Sequence, residues 1–159
     1  MSESWRTRLF RWGFRLFPCY RGTGGRVTYI TRDWREIRAE LPLNWRTRNY
    51  VGTIFGGSMY GFVDPLYMLM LIKVLGPEYV VWDKAASIRF KRPGRSRLHA
   101  TCRLSEEEIS AIKTALESAS SVDRTYQVEV TDRDGTVCAI VEKVIYVSRR
   151  EAQKKSGNS

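Results

Sequence analysis

Between residues 49 and 64 the chain sets an amide, a pair of glycines and a carboxylate at fixed spacing: Asn49, Gly56, Gly57 and Asp64. Asp64 is the one carboxylate in an apolar run of Phe, Met, Tyr, Leu and Ile that extends from Ile54 to Leu75. A carboxylate in such company has to be hydrogen-bonded or functional, because burying it unpartnered is expensive. Two consecutive glycines at the start of that run leave bare backbone N–H groups at a helix N-terminus, where developing negative charge is stabilised. A carboxylate, an amide and N–H donors beside an apolar wall are the parts of an acyl-transfer site. A structural carboxylate in a protein that only binds an apolar ligand is the competing reading.

The elements that must position these groups can be read from periodicity. Residues 4–17 read as a helix: Trp5, Leu9, Trp12 and Leu16 recur on one stripe, Phe10, Phe14 and Phe17 widen it, and arginines fill the rest. Pro18 stops it, and residues 21–25 read as a flexible break. This helix either docks on the domain's own sheet or on a second subunit, or lies on an anionic membrane as a peripheral contact, or acts as an Arg-rich presequence. Residues 26–31 and 34–41 alternate like half-buried strands, and a loop carries Arg46, Arg48 and Asn49. Residues 56–75 form the central helix, ending at Gly76-Pro77, with a kink expected at Pro65. Residues 79–91 read as a long strand with Val80, Trp82, Ala86, Ile88 and Phe90 as its apolar members, and 97–104 returns. Ser105 caps a helix with Glu106, Glu107 and Glu108 in its first turn. Residues 124–131 and 137–147 form a hairpin, and residues 149–159 a disordered tail. The domain expectation is a basic helix and linker over 1–24 and one folded domain over 25–148. A helix apolar on every side needs cover on every side, so strands wrap around it and a second copy covers the rest.

Composition narrows the classes. The chain has 159 residues, 43% hydrophobic and 12% aromatic, enough for one globular domain. Its net charge of +10 favours anionic partners such as a phosphate-rich ligand, a membrane surface or nucleic acid. No nucleic-acid module is recognisable, so nucleic acid is not expected as a partner. Cys19, Cys102 and Cys138 are scattered, which suits buried thiols in a reducing, cytoplasmic setting and gives no zinc framework. His99 is the only histidine, so neither a histidine-based catalytic set nor a metal site is expected. The apolar run over 53–75 is long enough to raise the question of a membrane span; Asp64, Pro65 and Lys73 favour a buried core helix.

The element order and the Asn49, Gly56-Gly57, Asp64 spacing resemble the hotdog fold, an α+β architecture of a curved antiparallel sheet wrapped around a long central helix. Within it the chain looks most like the phenylacetyl-CoA thioesterase-like branch of acyl-CoA thioesterases, in an uncharacterised tetrameric acyl-CoA thioesterase-like subgroup. The likeness covers about residues 25–147. The branch's signature is Asn, then His-Gly-Gly, then Asp; here Phe55 stands in the histidine's place and Pro65 follows the Asp. The segment 83–93, with Asp83 and Pro93, resembles the family's third strand. The resemblance implies thioester hydrolysis in a homodimer or dimer of dimers. Asp64 would be general base or nucleophile, Gly56 N–H the oxyanion donor beside Gly57 and Phe55, and Asn49 would orient water or carbonyl. Asp83 would share a proton with Asp64, pushing one pKa up. Arg46, Arg48, Arg89, Lys91 and Arg92 are the candidates for the coenzyme A phosphates, and no cofactor beyond that substrate moiety is implied.

Overall fold

The computed structural model describes residues 2–150; the tail expected from 149 onward lies, from 151, outside the described residues. The strands are β1 (Arg26–Ile30), β2 (Glu36–Leu41), β3 (Tyr79–Phe90), β4 (Leu98–Arg103), β5 (Ser121–Asp132) and β6 (Val137–Arg149). They form one antiparallel sheet in the order β1-β2-β4-β5-β6-β3, which leaves β3 as an open edge. Alternation decides which face is covered: in β6, Ala139, Val141, Ile145 and Val147 are buried while Glu142 and Tyr146 are only partly so. These join Phe62, Leu66, Met70 and Leu71 of the central helical segment in a single core. A sheet wrapped around a central helix is the hotdog arrangement.

Three features differ from the sequence expectation. The kink expected at Pro65 is present and goes further, to a turn that separates α3 (Gly56–Gly61) from α4 (Leu66–Leu75). Pro65 has no N–H, so the chain crosses the gap through tighter bonds, Val63 N–H to Tyr60 O at 3.1 Å and Leu66 N–H to Val63 O at 3.2 Å. Gly56–Leu75 is long and apolar enough to cross a membrane by length and composition, yet half of it is buried within this fold.

The second difference lies in β3. Its register on β6 slips between Asp83 and Ala85, so the inward set is Tyr79, Val81 and Asp83 before the bulge and Ala86, Ile88 and Phe90 after it. Val80 and Trp82, grouped from sequence with Ala86, Ile88 and Phe90 as the strand's apolar members, face the other way from those three, and Trp82 packs on Tyr146 at a ring separation of 5.3 Å.

The third is the N-terminal segment. α1 (Trp5–Leu16) starts at a capping box between Ser4 and Thr7. It buries Thr7 and Phe14 and leaves the expected docking stripe of Trp5, Leu9, Trp12 and Leu16 exposed. The aromatic side wins because it finds rings to meet: Phe10 on Trp34 at 4.7 Å and Phe14 on Tyr20 at 4.8 Å. Pro18 opens a further helix, α2 (Pro18–Thr23), where a flexible break was expected, and Gly24 ends it at φ 82°. Cys102 and Cys138 are buried as expected; Cys19 is exposed on α2. Tyr20 donates to Phe62 O at 2.9 Å, so α1 and α2 supply part of the cover for the central helix that was expected from a second copy.

Gly25 sits where the chain leaves α2 and passes against the broken helix. A Cβ there would lie 2.4 Å from Phe62 Cβ and 3.2 Å from Phe62 Cα. Because the obstacle includes main chain, Gly25→Ala is expected to destabilise the fold by about 1–3 kcal/mol, read as a lower urea midpoint at unchanged m-value. An unchanged midpoint would show that the packing here is looser than these distances.

Candidate active site

The helix break fixes the carboxylate. Asp64 stands in the turn between α3 and α4, its N–H bonded to Tyr60 O at 3.1 Å. The break frees main-chain carbonyls that a continuous helix would satisfy. Tyr20 takes that of Phe62, and the ammonium of Lys143 takes that of Asp64 at 3.0 Å.

Lys143 is the residue that sequence reasoning missed. It lies in β6, in phase with the buried Val141 and Ile145, and its side chain is 1% exposed. The signal was present: a lysine in the apolar register of a strand needs a counter-charge from the element packed above it. It finds two. Nζ lies 2.5 Å from Asp64 Oδ1 and 3.1 Å from Asp83 Oδ2. Tyr60 donates its hydroxyl to the same Asp64 Oδ1 at 2.6 Å. Asp83, expected beside Asp64 from the resemblance, reaches this cluster from the part of β3 that precedes the bulge.

The cluster is electrostatically uneven. Burial pushes the Asp83 carboxyl above its ordinary value, with Lys143 opposing and the Asp64 charge adding. Its Oδ1 is buried without a hydrogen-bond partner among the described residues. The rise of the Asp83 pKa, expected from a shared proton with Asp64, thus comes first from burial and least from that neighbour. For Lys143, burial pulls the pKa down, but Asp64 and then Asp83 outweigh it, so the ammonium is held above its ordinary value of 10.5. Burial, then the bond to Asp64, raises the Tyr60 hydroxyl and keeps it a donor.

Asp64 also faces a cavity. A chamber of about 750 Å³ opens between α1, α2 and the central helix, lined by Phe10, Phe14, Phe17, Asp64, Met68 and Leu69 among others. Its size and apolar walls suit an acyl chain.

The remaining expected residues lie elsewhere. Asn49, Gly56, Lys91, Arg92 and Pro93 line a second cavity of about 410 Å³. Asn49 uses its side chain to fold its own loop, accepting from Val51 N–H and Thr53 N–H and donating to the Thr53 hydroxyl. Phe55 is the N-cap of α3 and makes no side-chain cap bond, which leaves the first-turn N–H groups uncapped by it. The glycine pair has a packing reason as well: a Cβ on Gly56 would lie 2.9 Å from the Phe90 ring, and one on Gly57 2.4 Å from the Phe55 ring. The helix behind those N–H groups, α3, is six residues long before the break. Arg46 lines a separate cleft, Arg89 faces outward on β3, and Arg48 is exposed beside Ile54. Within one chain, then, Asp64 and Asp83 are brought together, Asn49, Gly56 and Lys91 are brought together, and the two groups are not joined.

The family described as "Domain of unknown function (DUF4442)" matches residues 6–147. No curated protein matches the chain. Among solved structures, a Pseudomonas aeruginosa protein of unknown function described as "Probable Thioesterase" superposes with a TM-score of 0.80 at 18% identity, over 94% of this chain and 99% of that one. A thioesterase from Haemophilus influenzae gives 0.60 at 16%, over 81% of each chain. A Chlorobaculum tepidum protein of unknown function gives 0.72 at 13%, over 91% and 94%. These likenesses establish the hotdog fold.

Removing the shared cation should expose the cluster's strain. Lys143→Met is expected to cost on the order of 1–3 kcal/mol, since it leaves the partly exposed Asp83 and Asp64 without their shared counter-charge. Adding Asp83→Asn should recover part of the loss. The pH dependence has a definite sign. A raised Asp83 pKa gives stability that is present below its ordinary 3.8 and lost as pH rises through the folded value. Without Lys143 that folded value climbs further, so the variant gains more stability than the parent on acidification from neutrality. Thermal unfolding between pH 5 and 8 checks this, and parallel curves for parent and variant would refute it.

Proposed function

The chain belongs to the family described as domain of unknown function DUF4442, and from that premise and its carboxylate cluster we propose that it hydrolyses acyl thioesters, acyl-CoA foremost. The observation that carries this reading is the placement of Asp64: one carboxylate oxygen is held by Lys143 and Tyr60 while the residue lines the apolar chamber. In the proposed reaction, Oδ2 of Asp64 takes a proton from water as the water oxygen bonds to the thioester carbonyl carbon. The C–S bond then breaks, and the departing thiolate takes the proton back from Asp64. Lys143 and Tyr60 hold Oδ1 and so aim Oδ2. Asp83 shares the lysine and balances the charge.

The oxyanion and the coenzyme A phosphates are assigned to the other cavity, to the Gly56 and Gly57 N–H groups and to Lys91 and Arg92, with Asn49 shaping the loop beside them. Eight residues of helix span about 12 Å, too far for Asp64 and Gly56 of one chain to share a carbonyl. The active unit is therefore a homodimer that apposes Asp64 of one copy with Gly56 of the other. The open edge of β3, twelve residues long, is the surface for that pairing. Beyond the chain the reaction draws on water and on the acyl-CoA substrate with its coenzyme A moiety.

A binding-only reading also has an observation in its favour: the ion pair with Lys143 already satisfies Asp64 Oδ1. Asp64→Asn separates the two. The substitution is expected to lower kcat by at least about 100-fold on an acyl-CoA panel. It also lowers Tm, because Lys143 loses one of its two counter-charges, so kcat is compared below the variant's own Tm with the fold checked by circular dichroism. If the parent hydrolyses none of the panel yet acyl-CoA raises its Tm, the chain is a binder. Sedimentation is expected to show a dimer under assay conditions; full activity in a monomer would refute the composite site.

A further inference from the structure

α1 has two apolar faces on opposite sides of the helix, at about 100° per residue. The side bearing Thr7, Phe10 and Phe14 packs inward; the other bears Trp5, Leu9, Trp12 and Leu16, exposed at 70%, 65%, 55% and 75%. An unpartnered stripe of two tryptophans and two leucines on one helix is more apolar surface than a folded domain leaves to water without a use.

The surroundings of the stripe are cationic. Arg6 stacks on Trp5 at 5.4 Å, and Arg15 on Trp12 at 4.7 Å. Arg15 also lines a cleft of about 340 Å³ with Arg21, Arg26 and Arg46. None of these four makes an ion pair with an acidic residue among the described residues. Another cleft arginine repeats the pattern: Arg46 stacks on Trp45, a residue 84% exposed, at 5.8 Å. Two exposed tryptophans are thus each stacked on an arginine that lines one and the same cleft.

We propose that this face docks on an anionic phospholipid membrane. Leu9, Leu16 and the tryptophan rings enter the boundary between headgroups and acyl chains, where amphipathic aromatics settle. Arg15, Arg21, Arg26 and Arg46 take the headgroup phosphates, which unpaired guanidinium groups bind with charge-assisted hydrogen bonds. The aliphatic half of the stripe decides for lipid over nucleic acid: arginines and stacked aromatics suit either ligand, whereas leucines in helical register gain nothing from phosphates or bases. The inner side of the same helix supplies Phe10 and Phe14 to the chamber that Asp64 lines, so docking sets that chamber beside the bilayer. The inference stands apart from the catalytic reading, since it uses none of the residues assigned to hydrolysis.

The test is flotation of the full chain with vesicles of phosphatidylcholine alone and of phosphatidylcholine with 30% phosphatidylglycerol. Binding is expected to the anionic vesicles and to fall at least tenfold from 0.05 to 0.5 M salt. Trp12→Ser with Leu16→Ser, and separately Arg15→Glu with Arg46→Glu, should each weaken it at least tenfold with Tm within 2 °C of the parent, since the side chains altered are exposed. Equal binding to both vesicle types, or to neither, overturns the proposal. So does tighter binding to a single-stranded oligonucleotide than to anionic vesicles. If the parent self-associates and Trp12→Ser with Leu16→Ser abolishes that without changing flotation, the stripe is an interface between copies. If inorganic phosphate alone raises Tm through the cleft arginines while Arg15→Glu with Arg46→Glu leaves flotation intact, the cleft is a site for soluble phosphate.

Discussion

One buried ammonium holds together the three parts of this protein that matter most. Lys143 rises from β6 into the core, and its counter-charges come from the helix break and from the edge strand. Burying it costs several kcal/mol, which two carboxylates and a main-chain carbonyl offset only if each stands in place. The triad therefore acts less as a source of stability than as a constraint of position. It fixes where the central helix breaks relative to the sheet, and which residue of β3 faces inward.

That constraint makes sense of two local irregularities. A proline inside an apolar helix and a bulge in a long strand are each unfavourable alone. Together they bring Asp64 and Asp83 to the same lysine from opposite sides. The carbonyls freed by the break are taken up by Tyr20 and Lys143, so the N-terminal helices and the sheet both close the same gap. The glycines nearby carry steric duties of equal weight, with Gly25 against Phe62, Gly56 against Phe90 and Gly57 against Phe55. A glycine pair at a helix start is therefore explained by packing before any oxyanion is invoked.

The N-terminal segment shows how a helix with two apolar faces defeats periodicity. The regular stripe of Trp5, Leu9, Trp12 and Leu16 was the stronger pattern, yet Phe10 and Phe14 are the residues that pack. Burial follows which rings the rest of the fold presents, here Trp34 and Tyr20, and no local spacing encodes that. Beside the stripe left outside, Arg15 shares a cleft with Arg21 of α2, Arg26 of β1 and Arg46 of the loop after β2, a grouping that only folding produces.

By itself the sequence determined the architecture. Alternation in β1, β2, β4, β5 and β6, the Ser105 cap and the apolar segment ending at Gly76 are local signals, and local signals suffice to name elements and to suggest the wrapped helix. It also singled out Asp64, because one carboxylate in an apolar run is anomalous wherever it folds. Tertiary structure decided the rest. The bulge that turns Asp83 inward, the lysine that pairs with it 60 positions later, and the separation of Asn49 and Gly56 from Asp64 depend on sheet register and on where the helix breaks. Those are properties of pairing between distant segments. A side chain's partner is set by the element that packs across from it, and no spacing along the chain records which element that is.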